Sequence, residues 1–312
     1  MQPITLQRKL MGSPFTFQAY PAAGFEEDEI KACMNLAFAE VSRIEDLLTD
    51  FRASPFNKIN EMAGLSPVEV DEEVFELISQ CMRIAKDSDG AFDISYATVG
   101  HLWREAKKKG MPPSERDVAN LMEWVDYKRI EIDAAKRSVY LPHPKMRVGL
   151  GGIGKGYAVD RAYEMLLKMG MENFFINGAG DIRVHTNKTA KRPWRVAIRN
   201  PMAEKNVPMG MIQMRQGSIA TSGDYERFFR YEGKSFHHVL NTQTGMPTDE
   251  VVSATVLAPY AILCDVYATT AMSLGAEQGI AFLNRRARTT GFLVTKAGKI
   301  LYCEDWHDQK NI

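Results

Sequence analysis

Asp265 and Thr269 stand four residues apart in a stretch, residues 251–276, that carries no other charged side chain. On a helix, that spacing puts both on one face. A carboxylate and a hydroxyl in apolar surroundings must be satisfied. Either Asp265 caps a strand or loop while Thr269 bonds its own i−4 carbonyl, or the pair binds a hard cation. Mg²⁺ prefers oxygen ligands and takes one or two from protein, the rest from phosphate and water. Asp265, Thr269 and a backbone carbonyl would suit it.

Three small-residue turns are further candidates. Gly149-Leu150-Gly151-Gly152-Ile153-Gly154-Lys155-Gly156 precedes a helical pattern. Its glycines would let backbone approach a ligand, and N–H groups at a helix start attract phosphate. It is not a P-loop, because Gly156 stands where a hydroxyl should follow the lysine. A packing role is the plain alternative. Asn177-Gly178-Ala179-Gly180-Asp181 joins two strand patterns, and a simple hairpin turn explains it equally well. Residues 220–225, with His237, His238 and the run to Gly245, offer hydroxyls and imidazoles on strand ends. The six histidines form no HExxH and no Cys/His cluster, which argues against zinc.

The elements that must position these groups follow from periodicity. Residues 5–20 alternate as a strand or hairpin broken by Gly12 and Pro14. Residues 26–48 form an amphipathic helix with Ile30, Cys33, Leu36, Ala37, Val41, Ile44 and Leu48 inward and four acids at its start. Residues 49–60 read as a polar loop. Helices are expected at 71–86, with Asp71 as N-cap, at 114–122, 157–169, 261–274 and 276–285. Strands are expected at 173–176, 181–185 and 251–258, with hairpins at 128–141 and 291–302, and strands dominate from 194 to 239. Length and polarity alone would make 251–276 a membrane span. Pro259 and the β-branched run before it argue for a buried strand followed by a buried helix. The order is α+β, not a regular βαβ array.

Composition narrows the rest. The chain has 312 residues, 39 Lys+Arg and 39 Asp+Glu, with a net charge of zero and 45 % apolar residues. That excludes disorder and argues against nucleic acid as the main partner. Cys33, Cys81, Cys264 and Cys303 show no CxxC spacing and read as reduced structural thiols. Residues 1–17 hold Arg8 and Lys9 but no apolar h-region, and no lipobox cysteine follows. The expectation is a cytoplasmic protein.

Together these pieces resemble the ApbE-type flavin transferases, from about Leu10 to Tyr302. Met11-Gly12-Ser13 resembles the family's Met-Gly-Thr. Phe92-Asp93-Ile94-Ser95, with Leu102-Trp103, resembles its Phe-Asp-x-Thr and Leu-Trp. Residues 151–160 are close to its Gly-Gly-Ile-Ala-Lys-Gly-Tyr-Ala-Val-Asp. Residues 177–181, 220–225, 238–245 and 265–269 complete seven motifs in order. The resemblance implies a single domain over 1–312, built of two interlocked α/β lobes with mixed, largely antiparallel sheets. It implies Mg²⁺-dependent transfer of FMN from FAD to a threonine hydroxyl of an acceptor flavoprotein, with release of AMP. Carried over residue by residue, Asp265, Thr269 and the main-chain oxygen of Gly152 become metal ligands. Met11, Phe51, Tyr96, Ala97, Thr98, Lys155 and Leu240 become FAD contacts, and His238 the base or orienter for the acceptor hydroxyl.

Three departures from the family stand out. Gly149 stands for an aspartate of the FAD site. Asn241-Thr242 replaces Asp-Pro, and Phe51 replaces a tyrosine. The rival functions are an Mg²⁺-dependent FAD pyrophosphatase and a non-catalytic flavin-binding protein.

Overall fold

The structure is a computed structural model and describes residues 2–21, 24–187, 192–203, 207–223, 228–237 and 239–307. In chain order the strands are β1 (Ile4–Leu10), β2 (Ser13–Ala19), β3 (Val68–Glu69), β4 (Glu131–Asp133), β5 (Ser138–Tyr140), β6 (Asn173–Gly178), β7 (Asp181–Thr186), β8 (Trp194–Arg199), β9 (Pro208–Met214), β10 (Gln216–Gly223), β11 (Phe228–Tyr231), β12 (Lys234–His237), β13 (Val251–Ala258), β14 (Thr290–Thr295) and β15 (Ile300–Tyr302). The helices are α1 (Glu27–Leu48), α2 (Asn57–Glu61), α3 (Glu72–Asp87), α4 (Ala97–Lys109), α5 (Glu115–Met122), α6 (Gly154–Lys168), α7 (Ala261–Leu274) and α8 (Ala276–Asn284).

One eight-stranded sheet, ordered β1-β2-β6-β7-β10-β13-β14-β15, runs through the molecule. Every strand pairing among the described residues is antiparallel. Sheets β3-β5-β4, β8-β9 and β11-β12 are smaller additions. Strand β13 is buried at all eight positions because both its faces are covered. Val251, Ala254 and Val256 pack with α7 and α8. Val252 and Leu257 face a cluster built with Trp194, Val196 and Ile212 of the β8–β9 hairpin. A register shift between Val251 and Ser253 accounts for the change of parity. No helix among the described residues is long and apolar enough to cross a membrane.

Helix α1 begins at Glu26, whose side chain and that of Glu29 form a reciprocal capping box. Its buried face differs from the spacing estimate. Met34 and Phe38 are buried, whereas Leu36 is 55 % exposed. Phe38 stacks on Phe17 of β2 with centroids 4.0 Å apart, which turns the helix toward that strand. The segment read as a polar loop contains α2, and α4 was not anticipated. Asp71 caps α3 through Val74 N, and Ser114 caps α5 through Asp117 N, as expected. All four cysteines are unpaired.

Candidate active site

The site is assembled by three elements that meet at the start of α6. Asp160, on α6, accepts the N–H groups of Ala261 and Ile262, each at 2.9 Å. These are orphan donors at the start of α7, so one carboxylate fixes α7 against α6. Arg183 of β7 donates to Asp160 Oδ1 at 2.6 Å, and both side chains are buried. The helices touch at Gly156, where a Cβ would lie 2.5 Å from Ala261 O. Only glycine permits that approach.

Asp265 therefore sits inside α7, and neither caps a strand nor ends a loop. It is 4 % exposed. Its Oδ2 accepts Gly156 N at 3.1 Å, and its Oδ1 lies 3.9 Å from Lys155 Nζ. Lys155 is also ion-paired with Asp181, the first residue of β7. The neighbouring Cys264 is fully enclosed, and burial pushes its thiol well up, so it stays protonated.

Thr269 lies one turn beyond Asp265 on the same face. Its hydroxyl meets Ser222 Oγ of β10 at 3.2 Å. The i−4 bond to a backbone carbonyl is made by its neighbour, Thr270 to Val266 O at 2.6 Å. An atom at the Cβ position of Gly152 would lie 3.2 Å from Thr269 Cγ2 and 3.5 Å from its Oγ1. Asp265, Thr269 and Gly152 are thus brought together, with Ser222 beside them.

A cavity of about 340 Å³ opens from this point. Phe51, Tyr96, Ala97, Gly152, Leu240 and Thr269 line it, six of the positions singled out in the sequence. Asp93, also on its wall, accepts Ser95 N and Oγ at 2.7 Å and Tyr127 N at 2.8 Å. Burial raises its carboxyl above the ordinary range, and those donors oppose the rise.

Met11, Thr98, Gly149, Lys155 and Asp265 are not among the residues that line the cavity. Met11 occupies the β1–β2 turn at φ 50°. Its Cε is 3.7 Å from the Cβ position of Gly154, over the Gly-rich turn. Thr98 directs its hydroxyl to the backbone of Arg147, accepting from N at 2.9 Å and donating to O at 3.2 Å. It tethers α4 to the segment that leads into the Gly-rich turn. At Gly149 a Cβ would stand 2.8 Å from Ala97 Cβ and 3.5 Å from Asp50 Oδ2. His238 lies outside the described residues; Val239 and Leu240, which follow it, line the cavity.

Asn241 explains one departure from the family pattern. Its Oδ1 accepts Gln243 N at 2.8 Å and Thr244 N at 3.1 Å, shaping the loop that ends at Gly245. A side-chain amide oxygen makes this turn as a carboxylate would.

Sequence reasoning missed Arg104, Ser222 and Asp181. Arg104 lines the cavity, donates to Asp50 Oδ2 at 2.8 Å and stacks over Phe51 at 4.6 Å from the ring centroid. Its position directly after Leu102-Trp103 was the available signal. Ser222 and Asp181 lie within motifs already marked, so their segments were visible but not their contacts.

A family model described as the ApbE family matches residues 11–293. The chain belongs to the ApbE family. A FAD:protein FMN transferase of Klebsiella pneumoniae (strain 342) is 34% identical over 295 residues, covering 94% of this chain and 89% of that relative. One of Escherichia coli (strain K12) is 26% identical over 299 residues, covering 94% and 84%. The crystal structure of the ApbE protein of Thermotoga maritima matches with a TM-score of 0.90 at 26% identity, covering 100% of both chains. The apo flavinyl transferase ApbE of Pseudomonas stutzeri shares the fold at a TM-score of 0.85 and 22% identity, over 100% of this chain and 98% of its own. Four of the seven motif segments line the one cavity described above: Phe92 and Asp93, Gly151 and Gly152, Leu240 and Thr242, and Thr269.

Proposed function

We propose that this protein transfers FMN from FAD to a protein acceptor, and that the acceptor atom is a threonine hydroxyl oxygen. The observation that carries the reading is that Gly152 and Thr269, the latter one turn from Asp265 on α7, line the same cavity as Phe51 and Tyr96. An aromatic-walled cavity ending in hard oxygen donors suits a molecule with a flat ring system at one end and a pyrophosphate at the other.

The donor set is one carboxylate, one hydroxyl and one backbone carbonyl, and all are oxygens. That chemistry fits Mg²⁺, with Asp265, Thr269 and the Gly152 carbonyl as the residues that would hold it. When bound, the ion supplies charge neutralisation on the pyrophosphate.

The residues of the chain do the remaining work. Phe51 and Tyr96 flank the flavin, and Arg104, stacked over Phe51, steadies that ring. Lys155 presents its ammonium to the phosphates beside the α6 N-terminus. His238 takes the proton from the acceptor hydroxyl. The threonine oxygen then bonds to the FMN-side phosphorus, the bond to the bridging oxygen breaks, and AMP leaves with that electron pair. We take the compartment to be the cytoplasm, where four unpaired thiols are stable.

The test is incubation with FAD and Mg²⁺, with and without an acceptor, following AMP and protein-bound flavin. Transfer predicts both products together, only with acceptor. AMP with free FMN in the absence of acceptor would make the protein a pyrophosphatase, and bound FAD with no AMP a carrier. Asp265→Ala is expected to abolish labelling, and His238→Ala to slow it while FAD still binds.

A further inference from the structure

Two carboxylates and one ammonium meet where the β6–β7 turn faces the start of α6. Asp181 and Asp265 are 3 % and 4 % exposed. Lys155 pairs with the first and stands 3.9 Å from the second. Each comes from a different element, so backbone fixes all three attachment points. Asp181 follows a turn held by Gly180 N donating to Asn177 Oδ1 at 2.8 Å. Asp265 is held through Oδ2 by Gly156 N. Lys155 has the long, flexible stem and can move its charge between the two.

We propose that Lys155 is a built-in counter-ion that shields Asp265 when no divalent cation is present, and that Asp181 is the positioning residue that draws it aside. The proposal rests on Asp265 being a metal ligand. An ammonium this close in a low-dielectric setting competes directly with a cation for the same oxygen. A lysine with no second anion would stay on Asp265 and block it. Asp181 offers a nearby acceptor already engaged, so the ammonium vacates Asp265 without being left unpaired. Asp181 thereby acts on the cation through Lys155, without having to touch it.

A double-mutant cycle on the full chain without FAD tests this, with Mn²⁺ as the probe and its electron paramagnetic resonance signal as the readout. With Lys155 present, Asp181→Asn is expected to weaken Mn²⁺ binding roughly tenfold, because the ammonium settles on Asp265. Lys155→Met alone is expected to tighten it several-fold. In the Lys155→Met background the same Asp181→Asn change should cost less than about threefold, since no ammonium remains to be steered. An equal cost in both backgrounds, or no cost in either, overturns the proposal. If Asp181→Asn does not fold, Lys155→Met decides alone, and unchanged or weaker binding overturns it. Asp265→Asn separates the two layers. Should wild-type protein bind no Mn²⁺ that this variant loses, the metal reading itself falls and takes the proposal with it. Binding lost in Asp265→Asn but indifferent to Lys155 and Asp181 sinks the proposal alone.

Discussion

Glu45 Oε2 accepts the backbone N–H of Met11 at 2.7 Å, tying the last turn of α1 to the β1–β2 turn. Met11 and Gly12 both have positive φ, 50° and 70°, the geometry of a type I′ hairpin. Methionine is a poor residue for that first position, since its Cβ disfavours the left-handed region. The Glu45 bond and the packing of the Met11 side chain over the Gly-rich turn offset the strain. Glu45→Ala is expected to destabilise the fold by about 1–3 kcal/mol in denaturant titration. Met11→Gly should do the reverse of a strain penalty, leaving stability within about 1 kcal/mol, while weakening FAD affinity in a flavin-fluorescence titration. Equal stability losses in the two variants would contradict this division of roles.

Gly149 leaves no room for the aspartate that the ApbE resemblance leads one to expect there. A Cβ would press on Ala97 Cβ at 2.8 Å and bring a second carboxylate toward Asp50. Gly149→Asp is therefore expected to cost about 1–3 kcal/mol from overpacking. Ala97→Gly in the same chain should recover part of it, and adding Asp50→Asn should recover more by removing the like charge. Thermal melts of the single, double and triple variants check the order. A Gly149→Asp protein as stable as wild type would refute it.

How much was legible follows from which signals are local. Asp265 and Thr269 share a face because i and i+4 always do on a helix, and the strand and helix at 251–274 follow from β-branching and Pro259. Helix α4 gave no start signal, because Tyr96 caps it without a side-chain bond and Thr98, Val99 and Gly100 are weak helix formers. Helix α2 is a single five-residue turn, below the length at which periodicity registers. On α1 the apolar positions exceed one face, and the choice of Phe38 over Leu36 was made by Phe17 across the core. The pairings Lys155–Asp181, Thr269–Ser222 and Arg104–Asp50 join segments distant in sequence, and no spacing rule reaches them.

Asp160 should be the most costly polar residue to change outside the cavity. It satisfies two N–H groups at the α7 start and the buried guanidinium of Arg183, which also stacks over Tyr163 at 3.7 Å. Asp160→Asn keeps one acceptor oxygen but leaves Arg183 without its counter-charge. The expected loss is about 3–5 kcal/mol, read as a lowered denaturant midpoint. Because α7 carries Asp265 and Thr269, Mn²⁺ affinity should fall as well. Replacing the pair together, Asp160→Asn with Arg183→Met, should be less destabilising than Asp160→Asn alone.

Acid stability should be governed by the cluster joining α1, α3 and α6. Arg43 hydrogen-bonds Glu40 at 2.8 Å and 2.9 Å and Glu73 at 2.7 Å and 2.9 Å, and Arg161 adds a bond to Glu40 at 3.3 Å. The hydrogen bonds from Arg43 hold both carboxyls below their ordinary 4.5. A carboxyl depressed on folding binds its proton more weakly in the folded than in the unfolded state. Its stabilisation is present above the unfolded value and is lost as pH falls through the folded one. The contribution of this cluster to Tm should therefore be level above about pH 5 and be lost progressively below about 4.5. Glu40→Gln with Glu73→Gln should lower Tm at pH 7 and flatten its decline in acid, because neither position then titrates. The check is a set of melts from pH 3 to pH 8 at fixed ionic strength. A double variant whose Tm falls with acid as steeply as wild type would assign the acid sensitivity to other carboxylates.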